Sequence, residues 1–338
     1  MKQTLQLRAA VFAAIRTFFD KQGFIEVDTP LMVASPDTEP TNDPFQTTWK
    51  GLGKSYIGYL TPSPEFLIKR LLANGSGNVY QMSHIFRNNE ASEGKHNPEF
   101  MMLEWYHTNA DYNDVMRDTE GLIKFVLTQN GRSDKELNYQ GHLIDLNGDW
   151  ERLSVSEAFE KFAKVSQETL LNESALIVEA TNRGYQKENT GYDDAFYQIF
   201  LNEIEHKLGF EKPTFLYDYP ASQAALARKK ADDPRLAERF ELYIAGVELA
   251  NAFSELTNWQ EQEARLQHQV ATRKAQKLPV WNYDHDFIEA LKKGLPVTGG
   301  IALGVDRLIM LVADATDIIS ILPFPASTLF HAGDIKDK

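Results

Sequence analysis

The sequence predicts an α+β fold in which an antiparallel sheet is flanked by helices. Three observations predict it. Apolar and aromatic runs occur in neighbouring pairs, Val79 to Phe86 with Phe100 to His107 and Phe240 to Ala245 with Val247 to Leu256. Hairpins or long insertions join the runs, where a parallel sheet would need regular crossover helices. Helical periodicity is found in the segments around these pairs.

Taken in order, Leu7, Val11, Ile15 and Phe18/Phe19 recur at helical spacing between Leu5 and Phe19, and Gly23 stops that helix. Phe24, Val27 and Pro30-Leu31-Met32 read as a short strand ended by proline, which has no amide hydrogen for a ladder. Residues 34–55 are rich in Pro, Thr, Asp, Gly and Lys and read as a long surface excursion, often functional inside a compact domain. Pro64 to Leu72 reads as a helix. The polar segment Asn88 to Pro98 is too long for a tight turn, so the first strand pair carries an extended loop. Asp111 to Gln129 and Ser154 to Phe162 read as surface helices. Residues 130–150 and 165–190 alternate weak strand and loop signals, and about 130–190 is expected to be an insertion. Gly246 turns the second pair, and a charged helix runs from Trp259 to Lys274. A last strand through Gly299-Gly300 leads into a helix from Asp306 to Ala313. The expected organisation is a single domain over residues 1–338.

Lys and Arg number 35 against 48 Asp and Glu, a formal charge of -13, which excludes a general electrostatic grip on nucleic-acid backbones. The 43% hydrophobic and 25% charged residues are the ordinary balance of a globular enzyme. The absence of cysteine excludes disulfides, thiolate metal sites and cysteine nucleophiles, and fits a reducing compartment, the cytoplasm by default. The first 25 residues carry charge throughout and no apolar run reaches about 18 residues, so a soluble protein without signal peptide or membrane span is expected.

Three segments carry chemistry. In the first, Arg87-Asn88-Asn89-Glu90 is followed by His96-Asn97-Pro98-Glu99-Phe100 and Glu104-Trp105-Tyr106. An arginine at a strand end can grip phosphate oxygens with its planar fork, and a phenylalanine on the returning strand can stack a purine. Taken alone, Arg87 also fits a surface ion pair, and Phe100 fits core packing. In the second, Gly299 to Arg307, glycines let backbone approach a ligand and Arg307 opens a helix where it can hold a terminal phosphate. The third spaces Glu241, Glu248, Asn251 and Glu255 along two strands. Glu241 and Glu248 could share magnesium, which takes one or two carboxylates plus substrate phosphates; Glu241 alone also fits a solvated strand face.

These segments resemble the class II aminoacyl-tRNA synthetases: the first looks like motif 2, the second like motif 3, and the third like the metal-carboxylate strands between them. The first helix with Gly23 to Pro30 looks like motif 1. Ser63-Pro64-Glu65, His96 to Phe100, Glu104-Trp105-Tyr106 and Asn251-Ala252-Phe253-Ser254-Glu255 look like the lysyl branch. The helix similar to motif 1 lies almost at the N-terminus, so no anticodon-binding domain is expected. That architecture is similar to the elongation factor P lysine ligases, which join (R)-β-lysine to a lysine of elongation factor P. Pro220-Ala221-Ser222-Gln223 and Ala302 to Arg307 look most like that group.

The resemblance implies roles position by position. Arg87 contacts the α-phosphate, Phe100 stacks adenine, and Arg307 holds the distal phosphates with Gly304 beneath the nucleotide. Asn88, Asn89, Glu90, His96, Asn97, Glu248 and Leu249 complete the ATP site. Glu241 and Glu248 bind magnesium. Ser63, Pro64, Glu65, Glu104, Tyr106, Asn251, Phe253, Glu255 and Ala302 surround the amino acid, the acidic members suited to its two ammonium groups. Ala302 stands where lysyl synthetases have glycine, and one methyl discriminates by about 1–3 kcal/mol. Two departures stand out. Asn89 occupies the place of a usual glutamate, with Glu90 one later and a loop one residue longer, so either can face adenine. Ala252 replaces a usual glycine. The implied activity is adenylation of lysine or β-lysine and transfer to elongation factor P by a homodimer, without tRNA or membrane. A truncated synthetase acting on tRNA or a small amine, and a non-catalytic amino-acid sensor, are the alternatives.

Overall fold

The computed structural model describes residues 1–185, 191–224 and 226–330. Helix α1 (Lys2–Lys21) buries Val11, Ala14, Ile15 and Phe19, the face its periodicity requires. Gly23, at φ +75, turns the chain out of it, a left-handed backbone that a Cβ would oppose. Two short strands, β1 (Ile25–Glu26) and β2 (Met32–Val33), replace the single strand expected there.

Residues 34–55 are only partly an irregular excursion. After a loop to Phe45 comes a hairpin, β3 (Gln46–Gly51) and β4 (Lys54–Leu60), which joins β2 in a three-stranded sheet. Leu52 and Gly53 both take positive φ, as a tight hairpin turn demands. The hairpin was hidden because β3 buries neither face, so no alternation marks it.

Helix α2 (Glu65–Ala73) precedes β5 (Val79–Phe86) and β6 (Glu99–Thr108), which pair antiparallel from Val79 opposite Tyr106 to Phe86 opposite Glu99. Asp111 and Asp114 form a capping box on α3 (Tyr112–Gln129). This helix is no surface element: Val115, Thr119, Leu122, Ile123 and Val126 are buried, and the helix packs on α1.

A small hairpin follows, β7 (Glu136–Tyr139) with β8 (His142–Asp145), and then β9 (Glu151–Ser154). The helix expected from Ser154 to Phe162 is present as α4 (Val155–Ala158), continued by a π-turn to Ala163; α5 (Gln167–Leu170) and α6 (Glu173–Asn182) are helical where weak strand and loop signals were expected, and α7 (Tyr192–Glu203) follows. Residues 186–190 of that expectation lie outside the described residues. Such short helices carry too few turns for a clear period, yet they bury a second core around Phe159, Phe196 and Leu216.

Strands β10 (Thr214–Pro220), β11 (Leu236–Ile244) and β12 (Val247–Ser254) lead through α8 (Trp259–Ala275) and α9 (His285–Lys293) to β13 (Thr298–Gly304) and α10 (Val305–Ala313). The main sheet runs β1-β5-β6-β13-β12-β11-β10-β9. Its six middle strands are antiparallel and only the edge pairs, β1 with β5 and β9 with β10, are parallel. Side chains alternate across it with period two. Leu103, Trp105, Phe240, Leu242, Ala250, Ala252, Ile301 and Leu303 belong to one core with α1, α3 and α10, and their odd-and-even neighbours face the other way. No helix among the described residues is long and apolar enough to cross a membrane.

Candidate active site

Strand register sets the second face of the sheet. Glu104, Ala302, Asn251 and Glu241 stand opposite one another across β6, β13, β12 and β11; Tyr106, Gly300, Phe253 and Arg239 form the adjacent row. Neighbouring strands lie about 4.8 Å apart, so each row is a continuous shelf of functional groups. Both rows line a cleft of about 1410 Å³.

One end of the cleft is acidic. Glu104 Oε1 accepts from Ser63 Oγ at 2.7 Å and its Oε2 accepts from the Tyr106 hydroxyl at 3.0 Å. Glu255, at the end of β12, pairs with Lys69 Nζ at 2.5 Å, and the same ammonium donates to Glu65. Burial raises Glu104 to about 8, with Glu65 adding repulsion. Burial likewise raises Glu255 to about 8 against the opposing attraction of Lys69. Glu255 Oε1 is buried and accepts no hydrogen bond. It lies where a Cβ on residue 300 would come within 2.0 Å, so only glycine leaves room for the carboxylate. If all three carboxyl groups were ionised, they would carry two negative charges more than Lys69, the ammonium they face among the described residues, neutralises.

The other end is cationic. Arg87 leaves β5 with its guanidinium carbon 5.5 Å from the centre of the Phe100 ring, and its Nε is buried without a partner. Arg307, in the first turn of α10, donates from Nη1 to the Glu248 carbonyl at 2.8 Å and from Nε to the Lys95 carbonyl at 3.3 Å. Glu90 is held below the usual carboxylate range first by its hydrogen bond to His96, then by Arg87 and Arg307. Burial and Glu241 raise Glu248, while Arg307 and Arg87 oppose that rise. Two arginines 220 positions apart in the chain thus act on the same two carboxylates.

Phe100, Glu90, His96, Asn97, Leu249, Gly304, Ser63, Glu65, Phe253 and Ala302 also line the cleft. Asn88, Asn89 and Pro64 do not. The Asn88 side chain donates to Asp43 at 3.2 Å and Asn89, at φ +59, donates to the same carboxylate at 2.5 Å, so both fasten the loop before β3 to the end of β5. Pro64 is the N-cap residue of α2.

Glu241 accepts from Arg239 Nη2 at 2.5 Å and from the Tyr243 hydroxyl at 2.6 Å. Among the described residues, no group of three or more His, Asp or Glu is arranged to hold a metal by itself. Two neighbouring carboxylates facing an open cleft fit magnesium, which completes its shell with waters and phosphate oxygens.

Lys69, Lys95 and Arg239 escaped the sequence reasoning. The i,i+4 spacing of Glu65 and Lys69 was a signal for the first. Arg239 had none, since its contacts with Asn251 and Glu241 exist only through strand register. Lys95 Nζ donates to the Gly246 carbonyl at 2.6 Å, and burial lowers its pKa.

A family profile described as class II tRNA synthetases (D, K and N) matches residues 1–328, the whole of the sheet and both ends of the cleft. The chain belongs to that family. The lysine-tRNA ligase of Magnetococcus marinus is 38% identical over 327 residues, 96% of this chain. This chain spans only 64% of that relative's length. The elongation factor P-(R)-beta-lysine ligases of Yersinia enterocolitica and Proteus mirabilis are each 40% identical, over 320 and 324 residues. Those alignments cover 94% of this chain and 93% of theirs. The expected α+β synthetase fold and the resemblance to both kinds of lysine ligase therefore hold, with the sheet mixed at its edges.

Proposed function

We propose that the protein activates a diamino acid, (R)-β-lysine or lysine, with ATP as its aminoacyl-adenylate and joins it to a lysine side chain of elongation factor P. The observation that carries this reading is the charge balance of the acidic pocket: among the described residues Glu65, Glu104 and Glu255 face Lys69 alone, which leaves room for two ammonium groups. An amino acid with one amine would leave a buried carboxylate unpaired or protonated.

In this reading the substrate carboxylate lies between the acidic pocket and Arg87 and attacks the α-phosphorus in line. The bond from that phosphorus to the bridging oxygen breaks and pyrophosphate leaves. Arg87 and Arg307 supply fixed positive charge where negative charge gathers, and Phe100 supports the adenine ring. Glu241 and Glu248 would hold magnesium, which offsets phosphate charge when bound. Glu90, which lines the cleft, is favoured over Asn89 for the adenine edge, because Asn89 is tied to Asp43. A deprotonated acceptor amine then attacks the acyl carbon and AMP departs. The Ala302 methyl, between Glu104 and Asn251, biases the pocket toward one position of the substrate amine.

The acceptor is supported by the names of relatives that this chain matches along 93% of their length. We further infer a cytoplasmic two-fold homodimer through α1, a single catalytic domain with residues 130–190 as an insertion, and no tRNA substrate. Pyrophosphate exchange with α-lysine and both β-lysine enantiomers tests the first step, and ATP-dependent mass gain of elongation factor P tests the second. Exchange with none of the three amino acids would refute the reading, and tRNA charging without protein modification would refute the acceptor.

A further inference from the structure

Lys69 is 1% exposed, an unusual place for an ammonium group. It reaches from α2 beneath the sheet face, where every charged neighbour is acidic: Glu65 one turn earlier on its own helix and Glu255 at the end of β12. Glu104 and the Tyr106 hydroxyl stand on β6 beyond them, and the Phe287 ring of α9 lies 5.9 Å away. Burial opposes the lysine's charge, yet Glu255 and Glu65 outweigh that and raise its pKa. Only one carboxylate oxygen of Glu255 is engaged by Lys69. The other, Oε1, is buried, accepts nothing, and is walled by Gly300 and the Tyr106 ring.

We propose that Lys69 is a positioning and specificity-determining residue: by holding Oε2 of Glu255, it leaves Oε1 free for a substrate ammonium and opposes the pull of burial toward the neutral carboxyl. The inference rests on the reading of the pocket as a diamino-acid site. Without a fixed cation, a carboxylate buried beside two others takes up a proton and pairs poorly with an incoming amine. Lys69 touches no reacting atom in this account. It sets how strongly the pocket prefers a side chain ending in an ammonium over one ending in a methyl.

Two variants test it. Lys69→Met preserves volume and Lys69→Ala opens a slot that an alkylammonium ion can fill. In Lys69→Met the KM for the diamino acid rises about 30-fold or more while kcat and the KM for ATP stay near wild type, as loss of one buried charge partner requires. Its kcat/KM profile for the amino acid moves about one pH unit alkaline, and the preference for lysine over norleucine falls about tenfold. Ethylammonium restores part of the loss in Lys69→Ala and does nothing for Lys69→Met. Carboxyl-carbon NMR of glutamate-labelled protein without substrate, assigned with Glu255→Gln, reads the cause directly: in Lys69→Met, Glu255 titrates at higher pH. An unmoved Glu255 titration overturns the proposal even if no amino acid is ever activated. Failure of wild type to exchange pyrophosphate overturns only the diamino-acid reading. A uniform fall of kcat and both KM effects with melting temperature would assign Lys69 a purely structural role and overturn the proposal.

Discussion

Glu104→Gln separates the cost of the pocket from its use. The amide has the shape of the carboxyl; its oxygen still accepts from Ser63 Oγ and its nitrogen donates to the Tyr106 hydroxyl, so packing is kept. Only charge changes. Glu104 is 1% exposed, and burial raises its pKa from 4.5 to about 8. A carboxyl raised on folding contributes fully below its unfolded value and loses that contribution as pH climbs toward the folded value. Between 4.5 and about 8, at about 1.4 kcal/mol per pH unit, the loss reaches about 5 kcal/mol. A chain of 338 residues has an unfolding entropy of about 0.7 kcal/mol/K, so the variant is expected to melt about 7 °C above wild type near pH 9. The two curves meet near about pH 4.5. Scanning calorimetry of the substrate-free proteins measures this, and the stabilised variant binds the diamino acid about 100-fold more weakly for want of one charge partner. Melting curves that run parallel from acid to alkaline pH would refute the claim that burial sets the protonation of Glu104.

Binding of the diamino acid should release protons below about pH 8, because ammonium groups return Glu104 and Glu255 to their charged forms; calorimetry in buffers of different ionisation heat counts them. Gly300→Ala places a Cβ 2.0 Å from Glu255 Oε1 and 2.6 Å from the Tyr106 ring, so a loss of about 1–3 kcal/mol in denaturant unfolding and a raised amino-acid KM are expected. Arg307→Met lowers the rate of pyrophosphate exchange about 10²- to 10³-fold, while calorimetric amino-acid binding without nucleotide stays unchanged. Asp306→Asn strips a buried partner from Arg8, at 2.5 Å from it, and costs about 3–5 kcal/mol by chemical denaturation. Magnesium chelation abolishes exchange, and Glu248→Gln raises the magnesium requirement at least about tenfold.

Much of the site was legible because it is written in short segments. Arg87 with Phe100, and Glu104 with Tyr106, sit at fixed offsets on one hairpin, so their side of the sheet follows from period two once the strands are recognised. Asn251 and Glu255 are legible in the same way on β12. The resemblance left Asn89 and Glu90 open for the adenine edge and placed Asn88 in the nucleotide site, yet the positive φ of Asn89 and the pull of Asp43 turn both asparagines out of the cleft. The short helices α5 to α7 and the hairpin of β3 and β4 went unread because local pattern fails where an element is brief or has no buried face.

The sequence by itself determined which residue types could bind phosphate, purine and amine, and which strands would carry them, since these depend on chemistry and on local period. Tertiary structure alone decided which of these groups meet. Register between β6, β13, β12 and β11 assembles Glu104, Ala302, Asn251 and Glu241 into one row, and α2 brings Lys69 beneath Glu255. Charge balance and protonation inside the cleft follow from that assembly, because the strength of a charge pair is set by distance and burial, neither of which a linear chain contains.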